Sequence, residues 1–137
     1  MKIYALIIYI LLSISNLFAN EPNSAYVEDN DSIYLVVDVD EPPEFPGGVD
    51  SLFKFMRSTF VYPDISESLE GNPLIQFVVN KDGTVSDAKI LRDIHPLIDK
   101  EALRVVNSMP RWKPGRHQGR IVRVQYYMPF RLKIESL

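Results

Sequence analysis

Over residues 122–134 every second residue is apolar: Val122, Val124, Tyr126, Met128, Phe130, Leu132 and Ile134. The residues between them, Arg123, Gln125, Tyr127, Pro129, Arg131 and Lys133, are mostly polar. A period of two describes a strand with one face buried and the other in water, and a helix of period 3.6 cannot use it. This part of the chain is therefore committed to a sheet. The remaining segments must supply something to cover its apolar face.

Two segments have the right pattern to do so. Val49, Leu52, Phe53, Met56 and Phe60 fall on one side of a helix, which Tyr62-Pro63 ends because proline disfavours helical geometry in the residue before it. A second helix is predicted over residues 97–108, with Ile98, Ala102, Val105 and Met109 as its buried stripe. Pro96 stands at its start, Asp99 and Glu101 favour its positive end, and Pro110 stops it. Between them, residues 74–80 and 85–92 read as two strands joined by the turn Lys81-Asp82-Gly83-Thr84, with Ile75, Phe77 and Val79 on one face. A short strand at 33–37 is stopped by the proline- and glycine-rich run at 41–48. The order strand, helix, strand, strand, helix, strand predicts an α+β fold. Two helices pack on one face of a small, mostly antiparallel sheet of three to four strands.

The amino terminus reads differently. Lys2 is followed by ten apolar residues, 3–12, and then a softer stretch that ends at Ala19 before polar Asn20-Glu21-Pro22. These are the parts of a secretory signal peptide, with an uncleaved membrane anchor as the alternative. The expected organisation is a leader or anchor at 1–19, an acidic linker at 20–32 and a domain at 33–137. Whichever form the start takes, the chain beyond Ala19 is expected outside the cytoplasm.

Charge is divided along the chain. Residues 20–53 hold nine acids and no Lys or Arg, whereas residues 102–134 hold eight Lys or Arg and no acid. The formal net charge is only −3, so a dedicated nucleic-acid binder is not expected. The basic stretch suits either solvent or an acidic peptide partner.

Catalytic chemistry finds little support. With no cysteine, thiolate metal sites, disulfides and cysteine nucleophiles are excluded. The serines lie outside any GxSxG elbow, and the glycines form neither a phosphate cradle nor a dinucleotide fingerprint, so no cofactor is expected. His95 and Asp99 sit four apart, yet His95 precedes Pro96 and no third ligand is near, which favours a cap or surface role over a metal. Asp82 and Asp87 lack the spaced oxygens of a calcium loop. Trp112, before Lys113-Pro114-Gly115, is expected to anchor a loop on the core rather than stack on a ligand.

What the pattern does offer is the last strand. Pro129 cannot donate a ladder hydrogen bond, which suits an edge or a strand end. An edge strand has unpaired N–H and C=O groups, and these accept an extended peptide as an additional strand. The candidate contact residues are Ile121, Arg123, Gln125, Tyr127 and Arg131. The alternative is a cell-wall-binding module, or a homodimer formed through the same strand.

Five motifs in order then carry a resemblance. They are Pro43-Glu44-Phe45-Pro46-Gly47-Gly48; Tyr62-Pro63; Phe77-Val78-Val79-Asn80-Lys81-Asp82-Gly83; His95-Pro96-Leu97 with Asp99-Lys100-Glu101-Ala102-Leu103; and Met109-Pro110-Arg111-Trp112-Lys113-Pro114-Gly115. Together they resemble the C-terminal domain of TonB-family proteins in the form common in Bacteroidetes, over residues 33–132. The resemblance implies a periplasmic, non-enzymatic domain that grips the TonB box of an outer-membrane receptor beside its last strand. It also implies that force from inner-membrane proton-driven motor proteins passes through this contact. Two departures bear on the motor: the apolar segment 3–19 has no histidine, and the 27 residues from 20 to 46 span at most about 90 to 100 Å when extended. Both favour a free-standing domain.

Overall fold

The computed structural model describes residues 31–135. The expected leader or anchor at 1–19 and the linker up to residue 30 lie outside the described residues. At the centre is β3, Leu74–Val79, whose Ile75, Phe77 and Val79 are fully buried on one face. It pairs antiparallel with β4, Val85–Arg92, on one side and with β6, Arg120–Pro129, on the other. The β3–β4 turn is held by its own polar groups. The Thr84 N–H and hydroxyl donate to Asp82 Oδ1 at 3.0 and 2.6 Å, and these bonds hold the Asp82 carboxyl below its ordinary value.

Two further strands join β6. β1, Ile33–Leu35, runs parallel to it, and β5, Gly115–His117, forms an antiparallel hairpin with it. Gln118 and Gly119 close this hairpin, both at positive φ (50° and 74°), the backbone a two-residue turn of matching twist requires. The sheet order is β1-β6-β3-β4, with β5 also on β6. A separate two-stranded ladder joins β2, Leu69–Gly71, to β7, Leu132–Ile134.

The helices α1, Val49–Thr59, and α2, Pro96–Asn107, cover the face bearing Ile75, Phe77 and Val79. Their contribution to the core is Leu52 and Met56, with Phe60 just beyond α1, and Ile98, Ala102, Val105 and Val106 from α2. Val49 and Phe53, expected on the buried stripe of α1, are exposed instead, because the helix is turned so that Phe55, 5.5 Å from the Phe45 ring, packs on the core beside Leu52 and Met56. His95 caps α2: its Nδ1 accepts from Leu97 N–H at 3.2 Å. Asp99 faces back and accepts from Ile94 N–H at 3.2 Å, so both residues are engaged in closing the helix start. Among the described residues no cluster of three His, Cys, Asp or Glu could hold a metal ion.

The α+β class with two helices on one face is therefore the observed one, with three differences. The sheet has five strands rather than three or four, and one of them is parallel. The strand expected over 33–37 stops at Leu35 and continues as a 3₁₀ turn, Val36–Asp38. The alternating run 122–134 is broken after Pro129, where Phe130 N–H donates to Pro73 carbonyl and the chain moves on to pair with β2. Pro129 thus stands at a strand end, where its missing N–H costs nothing.

The two helix-bearing segments are tied by an ionic clamp. Arg104 Nε donates to Glu101 Oε2 at 2.9 Å, and Arg104 Nη2 reaches both Glu101 and the Thr59 carbonyl, the latter at 2.8 Å. Glu101 Oε1 in turn accepts from Val61 N–H at 2.8 Å. The hydrogen bonds from Arg104 hold the Glu101 carboxyl below its ordinary 4.5, against an opposing push from burial. Because the folded value lies below the unfolded one, this stabilisation is full above pH 4.5 and is lost as the pH falls through the folded value. Glu101→Gln is expected to cost about 0.5 to 1 kcal/mol at pH 7. The loss should shrink toward zero in acid, as read by thermal melts of both proteins from pH 7 to pH 3.

Candidate functional site

The polar side chains of β6 point away from the helices. Arg123, Gln125 and Tyr127 share this face with Gln76 and Val78 of β3, since Gln125 stands opposite Val78 and Tyr127 opposite Gln76. Ile121 lies in the hairpin with β5, opposite Arg116, and is partly exposed. Arg131 lies beyond the end of β6. It pairs with Glu70 at 2.7 Å and borders a mostly apolar groove of about 250 Å³ lined by Phe53, Phe60, Tyr62 and Phe130. Four of the expected residues therefore lie along one strand, and Arg131 belongs to another surface.

The expectation that this strand is the edge of the sheet is corrected by the topology. β6 lies between β3 and β1, with Ile33, Tyr34 and Leu35 in register with Arg123, Val124 and Gln125. The acidic segment after β1 continues the cover. Glu41 exchanges backbone hydrogen bonds with Arg116 at 3.0 and 2.9 Å, and Glu44 does so with Lys113 at 3.0 and 2.8 Å. Asp40 accepts from Gln118 N–H at 2.7 Å and lies 3.5 Å from His117 Nδ1. The acidic and basic stretches that divide the sequence thus meet in the fold: the chain's own acids lie along its basic hairpin.

Arg123 is the most constrained of the expected residues. Its side chain is 20% exposed, and Nε donates to Asn80 Oδ1 at 3.1 Å. Asp87 approaches its guanidinium at 3.7 Å, and Asp31 meets Nη1 with its carboxylate at 3.0 Å and its carbonyl at 3.3 Å. Asn80 is itself fixed, because its amide donates to Thr84 and Ser86. Gln125 and Tyr127 are hydrogen-bonded to each other through Nε2 and the phenol oxygen.

The occupant of the rim is short. β1 spans three residues, and two of its side chains, Ile33 and Leu35, remain 44% and 43% exposed. Past Gln125 no described strand pairs with β6 on that side, although the 3₁₀ turn Val36–Asp38 still lies beside it. The opposite edge of the sheet, β4, is less suited to a further strand. It carries a bulge with Asp87 at φ 53° and irregular register, and it exposes Asp87, Lys89 and Arg92. Bulges and outward charges are the usual means of blocking an edge. Of the two sides, the one at β6 is the smoother.

The family description "Gram-negative bacterial TonB protein C-terminal" matches residues 59–134, more than half of the chain. The chain belongs to the TonB C-terminal family. The core strands β3, β4 and β6 fall inside the matched range, whereas β1, the acidic segment and most of α1 precede it. Two solution structures of the Helicobacter pylori TonB C-terminal domain are similar to this chain. One shares 18% identity with a TM-score of 0.43, covering 63% of this chain and 90% of its own. The other shares 21% identity with a TM-score of 0.41, covering 66% and 89%. No curated protein matches the chain.

Two features of the site escaped the sequence. The β5–β6 hairpin was signalled only by Gly119 after Gln118, within what reads as a basic loop. The pairing of β1 with β6 had no local signal, because it joins positions about ninety residues apart.

Proposed function

We propose that this domain works in the periplasm as a peptide-binding module. It takes an extended segment of an outer-membrane receptor, the TonB box, as an added strand on the β6 rim and so supports energy-coupled transport across the outer membrane. The observation that carries this reading is the rim itself: a strand anchored on one side by β3, held by β1 on the other over three positions, and unpaired there beyond Gln125. Membership of the TonB C-terminal family supports it. In this mode main-chain hydrogen bonds give affinity, and Arg123, Gln125 and Tyr127 give register. No bond is made or broken, so no catalytic group is required. Coupling to a motor in the inner membrane is the further part of the same reading.

Overlapping synthetic peptides covering the periplasmic N-termini of outer-membrane receptors test it, titrated into isotope-labelled protein and followed by amide resonances. Binding should perturb Arg123 to Tyr127 first and β4 least. Perturbation centred on β4, or no binding by any peptide, would overturn the proposal. A homodimer through this strand would instead appear as a mass that rises with protein concentration and is unchanged by peptide.

A further inference from the structure

β1 occupies the place where a partner strand would enter, and it does so with a defined set of contacts. Its backbone runs parallel to β6 in register with Arg123 to Gln125. Two residues ahead of the first paired position, Asp31 sets its carboxylate on Arg123 at 3.0 Å. Arg123 does not depend on β1 for its orientation, since Asn80 and Asp87 hold the guanidinium from the β3–β4 hairpin. The rim therefore offers a preset cation followed by a line of backbone groups.

The fit of β1 to that rim is incomplete. Ile33 and Leu35 are half exposed, Val37 is 82% exposed, and pairing stops at the 3₁₀ turn Val36–Asp38, which stays beside β6, while the strand itself extends to Pro129. An extended segment entering in the same direction could use those remaining positions, which β1 leaves unused. What favours β1 is its tether, which keeps it near the rim at an effective concentration on the order of millimolar.

We propose that residues 31–37 are a built-in competitor for the β6 rim. They are seated there as a partner strand would be, and they must unpair before one enters. The segment that replaces them runs parallel to β6 and carries a carboxylate two residues ahead of its first paired residue, where it inherits Arg123 from Asp31. This rests on the reading of the domain as a peptide binder and adds the occupant, the direction and the displaced strand. A binding-competent form that is only partly populated lowers apparent affinity by its fraction, so loosening β1 raises affinity without touching the rim.

The probe is a blocked synthetic heptapeptide with the sequence of residues 31–37, Asp-Ser-Ile-Tyr-Leu-Val-Val. The proteins are the full chain and its Ile33→Pro/Leu35→Pro variant, in which two partly exposed positions of β1 lose their N–H groups. The variant should bind the heptapeptide about tenfold or more tightly than the unaltered chain. A peptide with lysine in place of its aspartate should bind the variant about fivefold more weakly, with the difference shrinking as salt rises. A second measurement needs no substitution. In the unaltered chain, amide exchange at Ile33 to Leu35 should accelerate as peptide is added, while Val124 and Gln125 stay protected.

Slower exchange of β1 on binding would mean that the new strand adds outside it, and this would overturn the inference. Equal affinity of both proteins for the heptapeptide would do the same. If receptor peptides bind but the heptapeptide does not, only this inference fails. If neither binds either protein, the peptide-binding reading fails with it.

Discussion

Trp112→Ala is expected to remove about 3 to 5 kcal/mol of stability, the range for truncating a buried large aromatic. Trp112 is 3% exposed and stands among three rings: Phe45 at 5.5 Å, Phe77 at 5.6 Å and Tyr126 at 5.1 Å between centroids. Phe77 comes from β3, Tyr126 from β6 and Phe45 from the segment paired with Lys113, so one side chain joins three parts of the chain. Small domains are stable by about 5 to 15 kcal/mol, so this loss is a large share of the total. Urea melts should show the midpoint falling steeply, with the slope little changed. Trp112→Phe separates the ring contacts from the indole N–H. The indole Nε1 is buried with no hydrogen-bond partner, so replacing the indole by a phenyl ring removes an unsatisfied donor along with some contact area. Its cost should be clearly smaller than that of alanine, because the phenyl ring fills most of the same space. A phenylalanine variant as damaged as the alanine one would show that ring contacts are not what Trp112 contributes.

Gly83→Ala should be nearly as severe. Gly83 has φ 82°, a region that costs an L-residue about 1 to 2 kcal/mol, and a Cβ built there would lie 2.1 Å from the Trp112 carbonyl oxygen. That oxygen is backbone, held near by the Trp112 N–H that donates to the Gly83 carbonyl at 2.8 Å, so it cannot rotate aside. Opening the β3–β4 turn from the Trp112 loop is then unavoidable, and the expected loss is about 3 kcal/mol or more. Because moving the Trp112 backbone away from Gly83 also pulls its ring from the aromatic cluster, the double variant should lose clearly less than the two single losses added together. Full additivity in a double-mutant cycle would refute this coupling. Both variants also bear on the rim, since Tyr126 and the hairpin turn beside Asn80 are its supports. Peptide affinity measured on the folded fraction of Gly83→Ala should fall as Asn80 loses its hold on Arg123.

Much of this architecture was legible from residue types and spacing. The face of β3 bearing Ile75, Phe77 and Val79, the turn at Gly83, the strand Val85–Arg92 and the helix beginning at Pro96 all appear where the pattern places them. His95 as a cap and Trp112 as a buried anchor come from the same kind of reasoning, because a proline at a helix start and a lone tryptophan before Lys-Pro-Gly act through near neighbours. Val49 and Phe53 did not obey it. Periodicity gives an apolar side for α1 but not its exact rotation: Phe55 packs on the core and Phe53 does not.

Residue order alone was enough to say which face of each element is apolar and where most elements begin and end, since those depend on side-chain period and on proline, glycine and capping groups within a few residues. Which strand lies beside which was settled only when the chain folded. The hydrogen-bonding rim of a strand is made of backbone, identical for every residue but proline, so no pattern of side chains announces that Ile33–Leu35 will settle against Arg123 to Gln125. That choice was made by the meeting of distant parts, an acidic segment and a basic hairpin brought together around the core that the helices form with β3.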